Sequence, residues 1–214
     1  GIAGDGPTTV VGATGQSQEL VQYANQAWIE IQNFHVDWDF MLVSPGVSFA
    51  TVAAQTGYTP AQAGITDGEV SSWKRDTFRS YLTVTGTPSE VHMTWVPYDQ
   101  WRDGYNIGSL RTSQVNPVIF SIHPNQSLMV QCPLAGYTIT GDYYRMPQVL
   151  DADADTLSLP ARYILLPVYR AMMFYGAFES APEVYGQGER LYNSMMNKLK
   201  NDRLPEIMTG GALA

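Results

Sequence analysis

The chain is poor in charge, in cysteine and in long apolar runs. Charged side chains make up 15% of its 214 residues, against about 25% in an average soluble domain. Its single cysteine, Cys132, excludes an internal disulfide framework and any cysteine-based zinc site. The most apolar window, residues 163–178, contains Pro167 and Arg170 and is shorter than the roughly 20 residues that a membrane span needs. We therefore expect a buried helix there and no membrane partner.

Net charge excludes a further class of protein. The chain carries 12 basic and 20 acidic side chains, a net charge of −8. That balance argues against sequence-independent binding of a phosphate backbone. Residues 1–18 lack a basic segment followed by an apolar one, so we also expect no signal peptide.

The chain is rich in uncharged polar residues, and it has 13 tyrosines and 44% hydrophobic residues. Such a content supports one substantial core, and the weakly charged surface is typical of proteins that bury surface against neighbours. Segments with the hydrophobic periodicity of helices flank a segment with the short alternating runs of strands. The fold class we predict is α+β: a small bundle of one N-terminal and two C-terminal helices, with an inserted antiparallel β-sandwich or barrel.

The predicted organisation has four parts. Residues 1–16 form a flexible arm, 17–46 and 156–203 the helical bundle, 47–150 the β domain, and 204–214 a C-terminal tail. We expect Ser17 to cap the first helix, which ends near Asn33, and Ser44-Pro45-Gly46 to end that segment.

The remaining elements are predicted from local signals. Residues 97–104 read as a short helical turn, and Asn125 indicates a hairpin turn between Ile122 and Leu128. Pro167 should kink the helix of residues 160–178, whose apolar residues lie on almost every side. Residues 180–183 match a capping box for the last helix, with Pro182 in its first turn.

The search for chemistry gives only weak motifs. His35, Asp37 and Asp39 alternate as ligands or acid/base groups could, but no third ligand spacing supports a metal, and a polar helix end explains them. Asp151, Asp153 and Asp155 resemble the start of a calcium loop, which then lacks its glycine and its bidentate glutamate. The N-terminal glycines do not form a phosphate loop, and no nucleophile elbow is present. We predict no cofactor, no metal and no catalytic residue.

Three segments resemble the head-to-tail adaptors of tailed-bacteriophage necks. They are Trp38-Asp39-Phe40 at the helix end, Asp142-Tyr-Tyr-Arg-Met-Pro147 before the acidic linker and Leu159-Pro160, and Phe174-Tyr-Gly-Ala-Phe-Glu-Ser-Ala-Pro-Glu183 between the last two helices. The last segment is similar to the turn of the podovirus tail-tubular-protein-A type. The resemblance spans roughly residues 17–205, and a glycine-rich arm stands where that family has a preceding helical segment.

The resemblance implies a structural virion protein at the neck, made in the host cytoplasm. Such adaptors form a ring, usually of twelve copies, beneath the portal protein; a tail or nozzle protein docks on the ring, and DNA passes through its channel without specific binding. For the portal and ring interface we expect the residues Tyr169, Met172, Met173, Leu204, Ile207 and Met208. For the tail side we expect two exposed aromatics of the β domain, Trp101 and Tyr105.

Two other classes of function remain open. A carbohydrate-binding β module of a tail-associated protein would use Trp73, Trp95 and Trp101 as a sugar platform. A carboxylate-dependent hydrolase would use Asp37 and Asp39.

Overall fold

A computed structural model describes residues 9–66 and 68–204, and these divide into two compact units. The β unit is the continuous segment Leu42–Met146. The helical unit is built from the residues on either side of that segment, up to Met41 and from Pro147 onward. Its helices are α1 (Gln16–Asn33), α3 (Leu166–Phe178) and α4 (Pro182–Arg203), and α2 (Tyr98–Gly104) belongs to the β unit.

The predicted α+β class is confirmed, with four α-helices and two sheets in the part of the chain that the structure describes. The first sheet has the order β1-β8-β3-β4 and is antiparallel throughout. The second has the order β2-β7-β6-β5, and its β5–β6 pair is parallel. The other strand pairs of the two sheets are antiparallel, as predicted. The strands are β1 (Leu42–Ala50), β2 (Gly57–Tyr58), β3 (Val70–Leu82), β4 (Val91–His92), β5 (Thr94–Trp95), β6 (Ile119–Ile122), β7 (Leu128–Val130) and β8 (Tyr137–Arg145).

One apolar core lies between the two sheets. Phe78 of β3 and Phe120 of β6 pack with their ring centroids 4.4 Å apart. Gly141 of β8 lies directly against Phe78, and a Cβ there would come within 2.8 Å of the Phe78 ring. Many of the aromatic side chains of the β unit are buried in this core, on the inner faces of the two sheets.

Several local predictions are confirmed. The first helix ends at Asn33, α2 forms at the predicted turn, and Ile122 pairs with Leu128 across a hairpin. The last helix begins at Pro182, where the missing N–H leaves no intrahelical hydrogen bond unmade.

The predicted caps and breaks fail for identifiable reasons. Gly15, not Ser17, stands at the N-cap of α1, where its carbonyl accepts hydrogen bonds from the Gln18 and Glu19 amides. At α4 the N-cap is Ala181, and no side chain caps the helix, so the capping box is absent. Pro167 occupies the first turn of α3, where it causes no kink.

The predicted break at Ser44-Pro45-Gly46 lies inside β1. The register against β8 shifts between Val43 and Val47, so the strand accommodates these residues as an irregularity. At Gly46 a Cβ would lie 2.8 Å from the Gly141 carbonyl oxygen, so glycine is required by the close approach of β8.

Candidate functional site

Helix α3 is the centre of the helical unit, because it packs along both α1 and α4. On the α1 side, the Arg170 guanidinium lies 2.8 Å from the Glu30 carboxylate. The Tyr23 ring is 6.2 Å from the Phe174 ring, centroid to centroid. On the α4 side, backbone meets backbone: a Cβ at Gly176 would be 2.7 Å from the Tyr185 nitrogen. Both neighbours of α3 are thereby fixed by short-range contacts.

These contacts leave part of the α3 surface uncovered by its own chain. An apolar groove of about 670 Å³ runs over it. Val168 remains 49% exposed there, which is unusual for an aliphatic residue of a largely apolar helix. The residues that line the groove come from α1, α3 and the start of α4: Leu20, Val168, Ala171, Met172, Tyr175, Glu179, Ala181 and Val184.

One end of the groove is acidic. Glu179 lines it, and Glu19 precedes the lining residue Leu20 in the sequence. Burial raises the pKa of Tyr23, and the carboxylates of Glu19 and Glu179 raise it further, which places both charges close to that ring. The groove therefore combines an apolar middle with an end of negative charge.

A second feature of the helical unit is a pair of amide side chains on α1 that hold the returning chain. Gln32 accepts a hydrogen bond from the Gln148 amide (2.8 Å) and donates to its carbonyl (3.0 Å). Asn25 makes the same two-point contact with Leu150, at 2.8 and 2.7 Å. We call Asn25 and Gln32 the amide clasp, since each side chain pairs with the backbone as a neighbouring strand would.

Sequence reasoning missed both the clasp and the groove. The available signal for the clasp was two amides seven residues apart on the apolar face of α1, which puts them on one side of the helix. For the groove, the signal was the stripe Val168, Met172 and Tyr175 at helical spacing in α3.

Only part of the predicted portal and ring surface lies in this groove. Met172 lines it, and Tyr169 lies on the same helix, partly buried. Met173, at 6% exposure, is buried inside the helical unit, because α3 turns it toward its own core. Leu204 comes directly after the last residue of α4, whereas Ile207 and Met208 lie outside the described residues.

On the β unit, Trp101 corrects the prediction of an exposed aromatic. Its side chain is 1% exposed and packs 6.1 Å from the Tyr98 ring. Tyr105 is partly exposed, and the next apolar residue of the same loop, Ile107, is 53% exposed. Trp73 is buried too, and Arg75 covers the Trp95 ring at 4.1 Å. The three tryptophans therefore present no open platform for a sugar.

The candidate chemical motifs have structural contacts of their own. Asp39 pairs with Arg203 at 2.9 Å, and His35 packs against the Trp38 ring. Asp153 accepts hydrogen bonds from the Val10 and Val11 amides.

The third carboxylate of the acidic linker is held by its own turn. Asp155 accepts hydrogen bonds from the Ala152 and Asp151 amides, and these two N–H groups lower the pKa of its carboxyl. Within residues 9–66 and 68–204, no three His, Cys, Asp or Glu side chains are grouped so as to hold a metal ion. The helices described there include none that is both long and apolar enough to cross a membrane.

Comparison with known proteins identifies the class. The family model described as SU10 adaptor protein matches residues 4–212, nearly the whole chain, and no curated protein sequence matches. The protein is therefore a structural adaptor of bacteriophages, and its family is not an enzyme family. The chain belongs to the SU10 adaptor protein family.

Membership of this family supports the resemblance to phage head-to-tail adaptors but not the subtype that the sequence suggested. The match supports a phage head-to-tail adaptor. Such an adaptor is a virion component that interacts with portal and tail proteins. The match does not support the podovirus tail-tubular-protein-A type, because the matching model describes a different adaptor family.

Proposed function

We propose that this chain forms the adaptor ring that joins the portal to the tail and extends the DNA channel. The observation that carries the proposal is the family match over residues 4–212. A ring of twelve copies beneath the portal, with a tail or nozzle protein on its other side, is the arrangement that the resemblance to neck adaptors implies.

The exposed surface of the helical unit supports an assembling protein. Val168 and Met172 belong to a helix that its own chain covers on only part of its circumference. Neighbouring subunits would bury such a face, as symmetric oligomers do. Tyr169 and Leu204 complete the proposed portal and ring surface in the described residues, and Ile207 and Met208 extend it in the tail.

The negative charge supports a conduit. A net charge of −8 per copy repels the phosphate backbone, so DNA can pass a ring of such subunits without being held. The place of action would be the neck of the virion, where DNA leaves during ejection.

Electron microscopy of the chain mixed with the portal protein of its own phage tests the proposal. We expect a stacked ring under the portal, and particles that lack this protein should fail to retain DNA or to join tails. The proposed function would be refuted if the mixture contained no ring and if tailed infectious particles still formed without this protein.

For the tail side we propose the loop that contains Tyr105 and Ile107. Ile107→Asp should reduce tail attachment at least severalfold while rings still form on the portal, because a buried charge without a partner is costly. The matched control is Val84→Asp in another loop of the β unit, where the side chain is 91% exposed. Equal tail attachment by both variants would exclude this loop as the tail contact.

A further inference from the structure

Helix α4 carries a partly exposed stripe that is apolar at one end and basic at the other. Leu191, Met195 and Lys198 lie at the i, i+4 and i+7 positions of the helix, so they share a face. The stripe measures about 10 Å along the axis. Leu191 and Lys198 are exposed, and Met195 is partly exposed in a surface depression of about 520 Å³. Lys198 forms no ion pair with any residue in the described part of the chain.

The groove over α3 has complementary properties. Between Val168 and Glu179 it extends for about 16 Å, which is long enough for the stripe. Its middle is apolar and its far end holds Glu179. Glu19 adds a charge near that end, since the carboxylates of Glu19 and Glu179 both act on the Tyr23 ring, and neither is ion-paired within residues 9–66 and 68–204.

We propose that the groove over α3 receives the Leu191–Met195–Lys198 stripe of a second copy of this chain, with Lys198 against Glu179. This is a helix-in-groove contact, in which apolar residues at helical spacing fill the groove and a charge sets the direction. The two surfaces are different parts of the chain, so the contact is head-to-tail, and head-to-tail contacts close into rings when the rotation allows. The inference rests on the proposed ring and names the surfaces that hold it together.

Charge exchange tests the pairing of Lys198 with Glu179. Glu179→Lys and Lys198→Glu should each weaken self-association roughly fivefold or more, since each replaces an attraction with a repulsion. Combining them in one chain should restore most of the loss, because the pair is then present in the reverse sense. Glu189→Lys, an exposed change of the same kind elsewhere on α4, should leave association unchanged. Sedimentation of the free chain and ring counts on the portal give the measurements.

Cysteine cross-linking tests the direction of the contact. A Met172→Cys chain mixed with a Met195→Cys chain should cross-link, whereas either chain alone should not. The native Cys132 is buried and serves as an unreactive background. Cross-linking of Met172→Cys chains with each other would show a two-fold contact and overturn the inference.

The outcomes separate this inference from the proposed function. Ring formation on the portal without the mixed cross-link, or with no effect of the charge changes, refutes the α3–α4 contact and leaves the portal adaptor standing. A mixed cross-link in a chain that never binds the portal keeps the contact and refutes the adaptor ring. Failure of both refutes both.

Discussion

At the residue scale, the amide clasp is the most consequential polar feature of the helical unit. The Gln32 side chain is 1% exposed, and both of its polar atoms are used on the backbone of Gln148. Buried amides are tolerated in an apolar face only when they are hydrogen-bonded. The clasp therefore determines which backbone segment lies beside α1.

Replacing one member of the clasp should destabilise the helical unit. Gln32→Leu keeps the approximate size but leaves the Gln148 N–H and C=O without their partner, which should lower the free energy of unfolding by about 1–3 kcal/mol. Gln26→Leu, on the exposed side of α1, is the matched control and should change it by no more than about 0.5 kcal/mol. Urea denaturation followed by circular dichroism at 222 nm checks both, and equal midpoints would remove the clasp from the account of stability.

Tyr143 makes the stability of the β unit depend on pH. Burial, together with the hydrogen bond to the Glu69 carboxylate, raises the pKa of its hydroxyl to about 12 from its usual value near 10. The folded state holds this proton more tightly than the unfolded state does. The stabilisation is therefore complete below pH 10 and is lost as the pH rises toward about 12.

Tyr143→Phe should remove this dependence. Between pH 9 and pH 11.5 the urea midpoint of the unchanged chain should fall more steeply than that of the variant, which has no proton to lose at this position. Parallel slopes for the two chains would show that another group is responsible.

At the element scale, α3 and α4 approach so closely that two glycines are required. Cβ atoms at Gly176 and Gly188 would lie within 3 Å of backbone atoms of the other helix. Helices in such contact cannot separate slightly to admit a methyl group without losing their other contacts. The close approach also sets the position of α3, and hence the shape of the groove.

Two glycine substitutions should therefore have opposite effects. Gly176→Ala should lower the free energy of unfolding by about 1–3 kcal/mol through overpacking. Gly186→Ala, in the interior of α4 with open space at its Cβ, should raise it by roughly 0.5–1 kcal/mol, because alanine is the better helix former. Thermal unfolding measures both. A loss in each variant would mean that neither Gly176 of α3 nor Gly186 of α4 tolerates a side chain.

Comparison of individual elements shows what the sequence could and could not predict. Periodicity located α1, and an asparagine beside a proline located the β6–β7 hairpin, because both signals are local. The first half of β3 carries no clear strand signal, because Lys74 and Asp76 interrupt its apolar pattern, although the strand pairs with β8. The parallel β5–β6 pair and the groove depend on contacts between distant segments, which no short window of sequence records.

At the scale of the whole molecule, the low content of charged residues and the excess of acidic over basic residues have different consequences. Low charge leaves apolar surface such as Val168 and Ile107 for partners, and the net charge of −8 disfavours contact with DNA. Both properties suit the adaptor ring that we propose.

Duplex DNA should therefore not bind to the free chain or to its ring on the portal. Fluorescence anisotropy of a labelled duplex should stay flat even at about 50 mM salt, where basic proteins bind most strongly. Binding that weakens steeply with added salt would show that positive charge lines the assembled channel.

The amide clasp also bears on the order in which a nascent chain can fold. Gln32 and its partner Gln148 are separated by the whole of Leu42–Met146, so a ribosome must finish the β unit before the clasp can close. The β unit is continuous in the chain and can fold as soon as it is made. At that point α3 has not yet been made, so α1 still lacks the helix along which it packs. Synthesis therefore completes the helical surface last, so a chain still on the ribosome has no finished α3 groove.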